Sequence, residues 1–177
     1  MSEIRLRPCG PGDAPALALV GQATILETYA QVLPLADLLA HCSGQHGEAL
    51  YADWLARPDH RLWLVQVAAT GAPVGYMALT PPDLPVPAGP RDVELRRIYL
   101  LKPFHGGGLG ARMMRTVIEA AEAAGFERLL LSVYSQNAQA LDFYARQGFT
   151  QAGVQKFRVG ANDYDDLVLA RGLDPAG

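Results

Sequence analysis

Four glycines within residues 105–111 (HGGGLGA) constrain this chain more than any other feature of its sequence. They lie between an extended apolar run, residues 93–101, and an amphipathic run typical of a helix, residues 109–124. A strand that passes through glycines into a helix leaves backbone N–H groups unpaired at the helix's positive end, with no side chain in the way. This segment is therefore predicted to bind a phosphate group.

Three kinds of phosphate loop fit a glycine cluster. Gly106-x-Gly108-x-x-Ala111 formally satisfies a dinucleotide fingerprint, but the next strand, around residues 129–134, does not end in the required acidic residue. A P-loop would need a Lys-Ser/Thr pair after the glycines, and this chain has none there. The third pattern, Gln/Arg-x-x-Gly-x-Gly/Ala, binds the pyrophosphate of coenzyme A.

Length and composition predict one domain over residues 1–177, with an ordered core of about residues 3–172. No apolar run approaches the roughly 20 residues of a membrane span, and the first residues lack signal-peptide features, so a cytoplasmic protein with no membrane partner is expected. A net charge of −3 argues against a nucleic-acid partner. Cys9 and Cys42 have neither disulfide nor metal-ligand spacing, and no metal is expected.

The order of patterns predicts the fold class. A short strand and two helices come first, followed by a hairpin, a third strand, a helix, a strand, a helix and two closing strands. The segment between the first two helices, residues 29–44, has a less regular pattern and could be a helix-loop over a site. Five prolines in residues 81–90 forbid regular structure there. The result is an α/β fold with one mixed, mostly antiparallel, twisted sheet of about seven strands flanked by about four helices.

Two motifs resemble the GCN5-related N-acetyltransferase (GNAT) superfamily. Residues 94–100 (ELRRIYL) followed by 103–111 (PFHGGGLGA) resemble its central motif, and residues 137–149 (NAQALDFYARQGF) resemble its second motif. The chain departs from the family pattern at His105, where Gln or Arg is usual. The resemblance implies a single-domain GNAT-like fold and acetyl-CoA as the cosubstrate.

The resemblance also implies which residues hold the donor. The backbone of Ile98, Tyr99 and Leu100 would bond the pantetheine arm, and the glycine loop with the first helical turn would hold the pyrophosphate. Arg112 would add a charge-assisted bond, although a solvated arginine is an equal alternative. Asn137 would bond the pantetheine, and it also fits a helix N-cap. The loop residues implied are His105, Gly106, Gly107, Gly108, Leu109, Gly110 and Ala111.

Catalysis by this family is direct attack of a neutral amine on the thioester. The resemblance implies Tyr144 as the acid that protonates the leaving thiolate, whereas a tyrosine on an apolar helix face is otherwise a core residue. Glu94 is the candidate base that takes the proton of the amine, with a solvated carboxylate at a strand start as the alternative. Glu27 and Tyr29 are weaker candidates for contacts with the acceptor.

A closer resemblance, to the PaiA-type acetyltransferases, points to the acceptor. It rests on Thr28-Tyr29, residues 97–100 (RIYL) and the pattern Phe157-x-x-Gly160-x-x-x-Tyr164-x-Asp166-x-x-x-Ala170. The resemblance implies a small primary amine, with a polyamine such as spermidine or spermine favoured. Peptide or protein amines, amino-acid derivatives and aminoglycoside-like amines stay open. A non-catalytic acetyl-CoA-binding or sensing module is the alternative function. A homodimer is also an open alternative.

Overall fold

Seven strands and five α-helices make up most of the part of the chain that the structure describes, residues 3–159 and 162–175 of a computed structural model. The strands lie in one sheet in the order β1-β2-β3-β4-β5-β7-β6. The strands are β1 Ile4–Pro8, β2 Arg61–Val67, β3 Pro73–Thr80, β4 Asp92–Leu100, β5 Arg128–Tyr134, β6 Thr150–Val159 and β7 Asn162–Gly172. The helices are α1 Ala14–Tyr29, α2 Leu35–Gln45, α3 Glu48–Ala56, α4 Leu109–Ala123 and α5 Ala138–Arg146.

The strand directions confirm the predicted mixed sheet. β1 runs antiparallel to β2, β5 antiparallel to β7, and β6 antiparallel to β7. β4 and β5 are parallel, with Asp92–Glu94 in register with Arg128–Leu130. A parallel pair requires a crossover, and α4 lies in the chain between these two strands. The predicted α/β fold class, with a mostly antiparallel mixed sheet, is therefore confirmed.

Helix α2 was the element that the sequence left least defined. It occupies most of the irregular segment between the two predicted helices, so five helices stand where about four were expected. Leu38 is its buried apolar residue, whereas Leu35 and Leu39 are exposed. Leu35, Leu38 and Leu39 have the i, i+3, i+4 spacing of one helix face, but only Leu38 of the three is buried, so this face does not pack as a continuous apolar stripe.

The described residues group into two compact units. The first contains the chain up to Ala78 together with Arg97–Met113, and the second contains Leu79–Arg96 together with the chain from Met114 onward. In the first unit, apolar residues of α1 and α3 pack with residues of β2 and β3. The core residues there include Leu17, Val20, Tyr51, Trp54, Leu62, Leu64, Tyr76 and Ala78. That residues 1–177 form one domain stays a prediction.

The second unit includes the proline-rich segment, which has no helix or strand between Pro81 and Pro90. It approaches β6 where the β6–β7 register shifts, between Gln151 and Gly153. A Cβ added at Gly153 would lie 2.7 Å from Cγ1 of Val86, so only glycine fits this approach. The proline-rich segment therefore packs closely against β6 at the point where the β6–β7 register shifts.

An ion pair fixes the base of that segment. Asp92 at the start of β4 accepts hydrogen bonds from Arg128 Nε at 3.0 Å and from the Gly89 N–H at 2.6 Å. Arg128 also donates to the carbonyl of Pro87 at 2.6 Å. The hydrogen bonds from Arg128 hold the pKa of the Asp92 carboxyl below its usual value.

We predict that Asp92→Asn lowers the free energy of unfolding by about 1 kcal/mol at pH 7, a moderate value because Arg128 is partly exposed and water screens the pair. A carboxyl whose pKa is lower in the folded state stabilises the protein above its unfolded pKa of about 3.9. That contribution is lost as the pH falls through the folded-state pKa. Urea unfolding at several pH values should therefore show the difference in free energy of unfolding between the two proteins shrinking as the pH falls below about 3.9, and an undiminished difference in acid would contradict the role of the ion pair.

Candidate functional site

The glycine turn joins β4 to α4 through left-handed backbone. Gly106 has φ +85° and Gly108 has φ +76°, a region that side-chain-bearing residues rarely adopt. Helix α4 begins at Leu109, and the N–H of Arg112 donates to the carbonyl of Gly108 at 3.0 Å. The N–H groups before Arg112 lie in the first helical turn, which has no intrahelical acceptors for them.

The turn is also open to a ligand. A Cβ built at Gly106, Gly107 or Gly108 would meet no heavy atom within 4 Å. The glycines are therefore not needed to avoid a clash inside the protein. Left-handed backbone explains two of them, and unobstructed amides at the positive end of α4 suit a phosphate group of a coenzyme.

The end of β4 presents two residues away from β3. The N–H of Leu101 donates to the carbonyl of Val74 at 2.9 Å, so this N–H points towards β3, and the carbonyl of Tyr99 lies against Gly75 of β3. The backbone N–H and C=O groups of successive strand residues point to opposite edges. Those of Tyr99 therefore point towards β3, and those of Ile98 and Leu100 point to the other edge. A chain that binds along that free edge would thus meet Ile98 and Leu100.

His105 contacts this edge directly. Its Nε2 lies 2.7 Å from the carbonyl oxygen of Leu100. Because a carbonyl only accepts, we assign the proton of the imidazole to Nε2. The histidine that replaces the usual Gln or Arg therefore folds back on the strand that precedes the glycine turn.

Glu27 and Tyr29 lie in the last turns of α1, and Glu27 contacts the same turn. Its Oε2 accepts from the backbone N–H of Lys102 at 2.8 Å, and its carbonyl accepts from Lys102 Nζ at 2.9 Å. Arg112, in the first turn of α4, donates from Nη1 to the carbonyl of Ile4 at 3.3 Å. The structure thus brings Glu27 to Lys102, just before the glycine turn, and its contact with an acceptor stays a prediction.

Glu94, the candidate base, is not a solvated residue at the start of a strand: it is 2% exposed. Its Oε2 accepts from the N–H of Asp83 at 2.8 Å, and its Oε1 lies 3.5 Å from Arg96 Nε. The carboxylate therefore anchors the proline-rich segment to β4.

Asn137 and Tyr144 both belong to α5, in the second unit. The side chain of Asn137 accepts from the N–H of Ala140 at 3.1 Å, so the N-cap role is present in the structure. Tyr144 is 8% exposed, and its ring packs edge-on against Phe149 at 5.7 Å between centroids. The ring is thus part of a core, and its role as an acid stays a prediction.

A buried polar cluster in the first unit has no counterpart in the sequence predictions. The hydroxyl of Tyr51 donates to that of Tyr76 at 3.0 Å, and Nδ1 of His46 lies 2.9 Å and 3.2 Å from the two hydroxyls. Gly21 on α1 faces this cluster, since a Cβ there would lie 2.8 Å from both His46 Nδ1 and the Tyr51 hydroxyl. Arg97 lies nearby, with its guanidinium 5.6 Å from the ring centre of Trp54.

His46 is a fully buried member of this cluster. Burial, with the charge of Arg97, lowers the pKa of His46 to about 2, so the ring is neutral. If Tyr76 donates to Nδ1, the proton of the imidazole is on Nε2, and within the described residues Nε2 has no hydrogen-bond partner. The only signals for this cluster in the sequence were isolated His and Tyr residues, which carry no spacing pattern.

The acidic residues of the β6–β7 hairpin are mostly paired. Asp163 lies 2.9 Å from Arg158, and Asp165 lies 3.0 Å from Lys156. Asp166 accepts from the hydroxyl of Ser132 at 2.8 Å, and burial raises the pKa of its carboxyl. Gly160, part of the PaiA-type pattern, lies outside the described residues.

The described residues contain neither a membrane-spanning helix nor a metal-binding cluster. No helix in them is both long and apolar enough to cross a bilayer. No group of three or more His, Cys, Asp or Glu side chains in them is arranged to hold a metal ion. Cys9 and Cys42 are both free, and burial raises the pKa of the Cys9 thiol to about 12.

Comparison with known proteins decides the family. The Acetyltransferase (GNAT) family profile matches residues 29–149. An uncharacterized N-acetyltransferase of Mycobacterium tuberculosis is 32% identical over 161 residues, which cover 91% of this chain and 98% of that protein. The chain belongs to the GNAT family of acetyltransferases.

Solved structures show the same GNAT fold. The PaiA N-acetyltransferase of Thermoplasma acidophilum, solved in complex with coenzyme A, matches with a TM-score of 0.77 at 17% identity, over 96% of this chain and 99% of that one. The ribosomal-protein-S18-alanine N-acetyltransferase of Escherichia coli matches with a TM-score of 0.68 at 18% identity, over 99% and 97%. The predicted GNAT membership, with its PaiA-like resemblance, is confirmed.

We predict that Gly108→Ala destabilises this GNAT protein by about 1 kcal/mol, because a Cβ disfavours left-handed backbone by about 1–2 kcal/mol. Gly107→Ala is the matched control: it lies in the same open turn without positive φ, and should change stability by less than about 0.5 kcal/mol. Urea unfolding of both variants measures the difference. Equal destabilisation would show that the backbone conformation at Gly108 is not the constraint.

We also predict that Gly21→Ala destabilises the protein by about 1–3 kcal/mol, because the added methyl overpacks the His46 cluster. A Gly→Ala change inside a helix ordinarily stabilises by about 1 kcal/mol. Gly44→Ala in α2, where an added Cβ meets nothing within 4 Å, should therefore stabilise the protein. Chemical unfolding compares the two, and a stabilised Gly21→Ala would refute the close packing.

Proposed function

We propose that this chain is an acetyl-CoA-dependent N-acetyltransferase that transfers an acetyl group to a primary amine of a small molecule. The observation that carries the proposal is the strand–turn–helix at β4 and α4 in a chain of the GNAT family. Gly106 and Gly108 have left-handed backbone at the start of α4, and a Cβ at Gly106, Gly107 or Gly108 would meet no heavy atom within 4 Å, which leaves room for a phosphate group there. Ile98 and Leu100 offer backbone groups for the pantetheine arm.

The proposed reaction is direct attack of the amine nitrogen on the thioester carbonyl. The C–N bond forms, the C–S bond breaks, the nitrogen loses a proton, and the departing thiolate gains one. An alkyl ammonium has a pKa of about 10.4, so a base must take its proton near pH 7. Glu94 is the proposed base, directly or through a water, and Tyr144 is the proposed acid for the thiolate.

The fold supports these roles by holding both groups in defined positions. The N–H of Asp83 and the guanidinium of Arg96 orient the Glu94 carboxylate. Tyr144 is held by the packing of its ring against Phe149. Fixed groups lose little conformational freedom when a substrate binds, which favours their use in positioning and proton transfer.

The acceptor is proposed only as an amine class. The PaiA-type resemblance supports a polyamine, which would need carboxylates near its ammonium groups. Asp163 and Asp165 are each paired with a cation of β6, which weakens their use for that purpose. Protein amines also remain an alternative, since the Escherichia coli enzyme of this fold is named for the alanine of a ribosomal protein.

The test is binding of acetyl-CoA followed by thiol release across polyamines, amino acids, aminoglycosides and short peptides. Binding with turnover of at least one amine would support the enzyme. Binding without transfer to any of them would favour the second candidate, a non-catalytic sensing module of the same fold. Absence of acetyl-CoA binding would overturn both.

We predict that Tyr144→Phe lowers kcat by about 100-fold, because a positioned acid contributes on that order to transfer of a proton. The substitution keeps the ring that packs against Phe149, so the free energy of unfolding should stay nearly the same. The Kd for acetyl-CoA should change by less than about twofold. Steady-state kinetics and calorimetric titration measure the two effects. Unchanged turnover would remove Tyr144 as the acid.

A further inference from the structure

The turn that leads from β4 into the glycine loop is held by side chains from two directions. Glu27 reaches it from α1, 75 residues earlier in the chain, and accepts the Lys102 N–H at 2.8 Å. His105 reaches back from the loop and contacts the Leu100 carbonyl at 2.7 Å. Between these contacts the backbone makes a single 3-10 turn, in which the N–H of His105 donates to the carbonyl of Lys102 at 3.0 Å.

The contact from α1 has two points of attachment. Besides the carboxylate contact, Nζ of Lys102 donates to the carbonyl of Glu27 at 2.9 Å. That carbonyl belongs to the last turn of α1, where the helix dipole favours a cation and the carbonyls lack intrahelical donors. Lys102 thus satisfies an otherwise unpaired carbonyl, while the carboxylate of Glu27 satisfies the N–H at the start of the 3-10 turn.

These contacts lie next to a run of three glycines, the residue type with the greatest backbone freedom. Three consecutive glycines, Gly106 to Gly108, follow His105, and glycine loses more conformational freedom on ordering than any other residue. A loop of this kind would have to be ordered when a ligand binds, at a cost to its affinity. Anchoring the residues just before the glycines reduces the number of conformations that the loop can sample.

We propose that Glu27 is a positioning residue for the acetyl donor: with Lys102 and His105, it holds the Leu100–His105 turn so that the glycine loop is arranged before the donor binds. The inference rests on the proposed function, because it takes the loop as the phosphate site. It assigns Glu27 to the donor side of the reaction instead of the acceptor side. Glu27 acts through the backbone of Lys102 and needs no contact with the donor.

The decisive variants separate the two attachments. Glu27→Ala removes the acceptor of the Lys102 N–H, and Glu27→Gln retains an oxygen that can accept it. Lys102→Met removes the ammonium and leaves the backbone N–H contact in place. Glu119→Ala, an exposed glutamate of α4, is the matched control for loss of a surface carboxylate.

We expect Glu27→Ala to raise both the Kd and the KM for acetyl-CoA by about fivefold, the scale of one lost hydrogen bond, with kcat within about twofold of the unmodified protein. Lys102→Met should have a smaller effect, Glu27→Gln should recover most of the affinity, and Glu119→Ala should match the unmodified protein. A general loss of structure would lower kcat and the unfolding temperature as well, and would not be repaired by Gln.

Hydrogen exchange in the free protein tests the arrangement of the loop without any donor. The amides of residues 105–111 should exchange faster in Glu27→Ala than in the unmodified protein, while those of β5 stay unchanged. Equal exchange, or an unchanged Kd for acetyl-CoA, would overturn the role of Glu27. If the unmodified protein fails to bind acetyl-CoA, the proposed function fails instead, and the exchange result still decides whether Glu27 orders the loop.

Discussion

The left-handed backbone at Gly106 and Gly108 is the constraint on which the candidate site depends. It turns the chain from the end of β4 into α4 within a few residues, so that the first amides of the helix face an open surface. A side chain at either position would strain this backbone although there is room for it. The proposed phosphate site therefore rests on backbone conformation and the helix dipole, and does not require a cationic side chain.

Two side-chain contacts at this end of β4 hold the turn that leads into the glycine loop. His105 satisfies the Leu100 carbonyl, and Glu27 satisfies the Lys102 N–H. The family usually places Gln or Arg at the position of His105, and the imidazole keeps the ability to donate a hydrogen bond. Its contact with the preceding strand gives this histidine a positioning function that does not require it to touch a phosphate group.

Much of the fold was predictable because the patterns that carry it are local. Strand β5 begins and ends where its apolar run predicts, and α4 follows its 3.6-residue period from Leu109. The close approach of Val86 to Gly153 joins residues that are distant in the chain, so no local pattern shows it. Helix α2 escaped clear prediction because the apolar residues of segment 29–44 follow a less regular pattern, and in the structure only Leu38 of its three leucines is buried.

The predicted site residues depend on a different kind of information. The glycine turn and the two motifs could be recognised because each is contiguous in the chain. Three features arise from contacts between residues that are distant in the chain, which periodicity does not encode. They are the hydrogen bonds between Glu27 and Lys102, the burial of Glu94, and the cluster of His46 with Tyr51 and Tyr76. The acceptor also stays at the level of a class, because its predicted contacts fall in the least patterned segment and in a hairpin whose Asp163 and Asp165 are paired.

The most direct test of the central claim is titration of the ¹⁵N-labelled protein with coenzyme A, followed by the backbone amide resonances of Gly106, Gly107, Gly108 and Gly110. We expect these resonances to shift and saturate together, while those of Gly71 and Gly125, glycines with positive φ in other turns, stay unchanged. Saturable binding that leaves the four loop resonances in place, or no binding at all, would contradict the central claim.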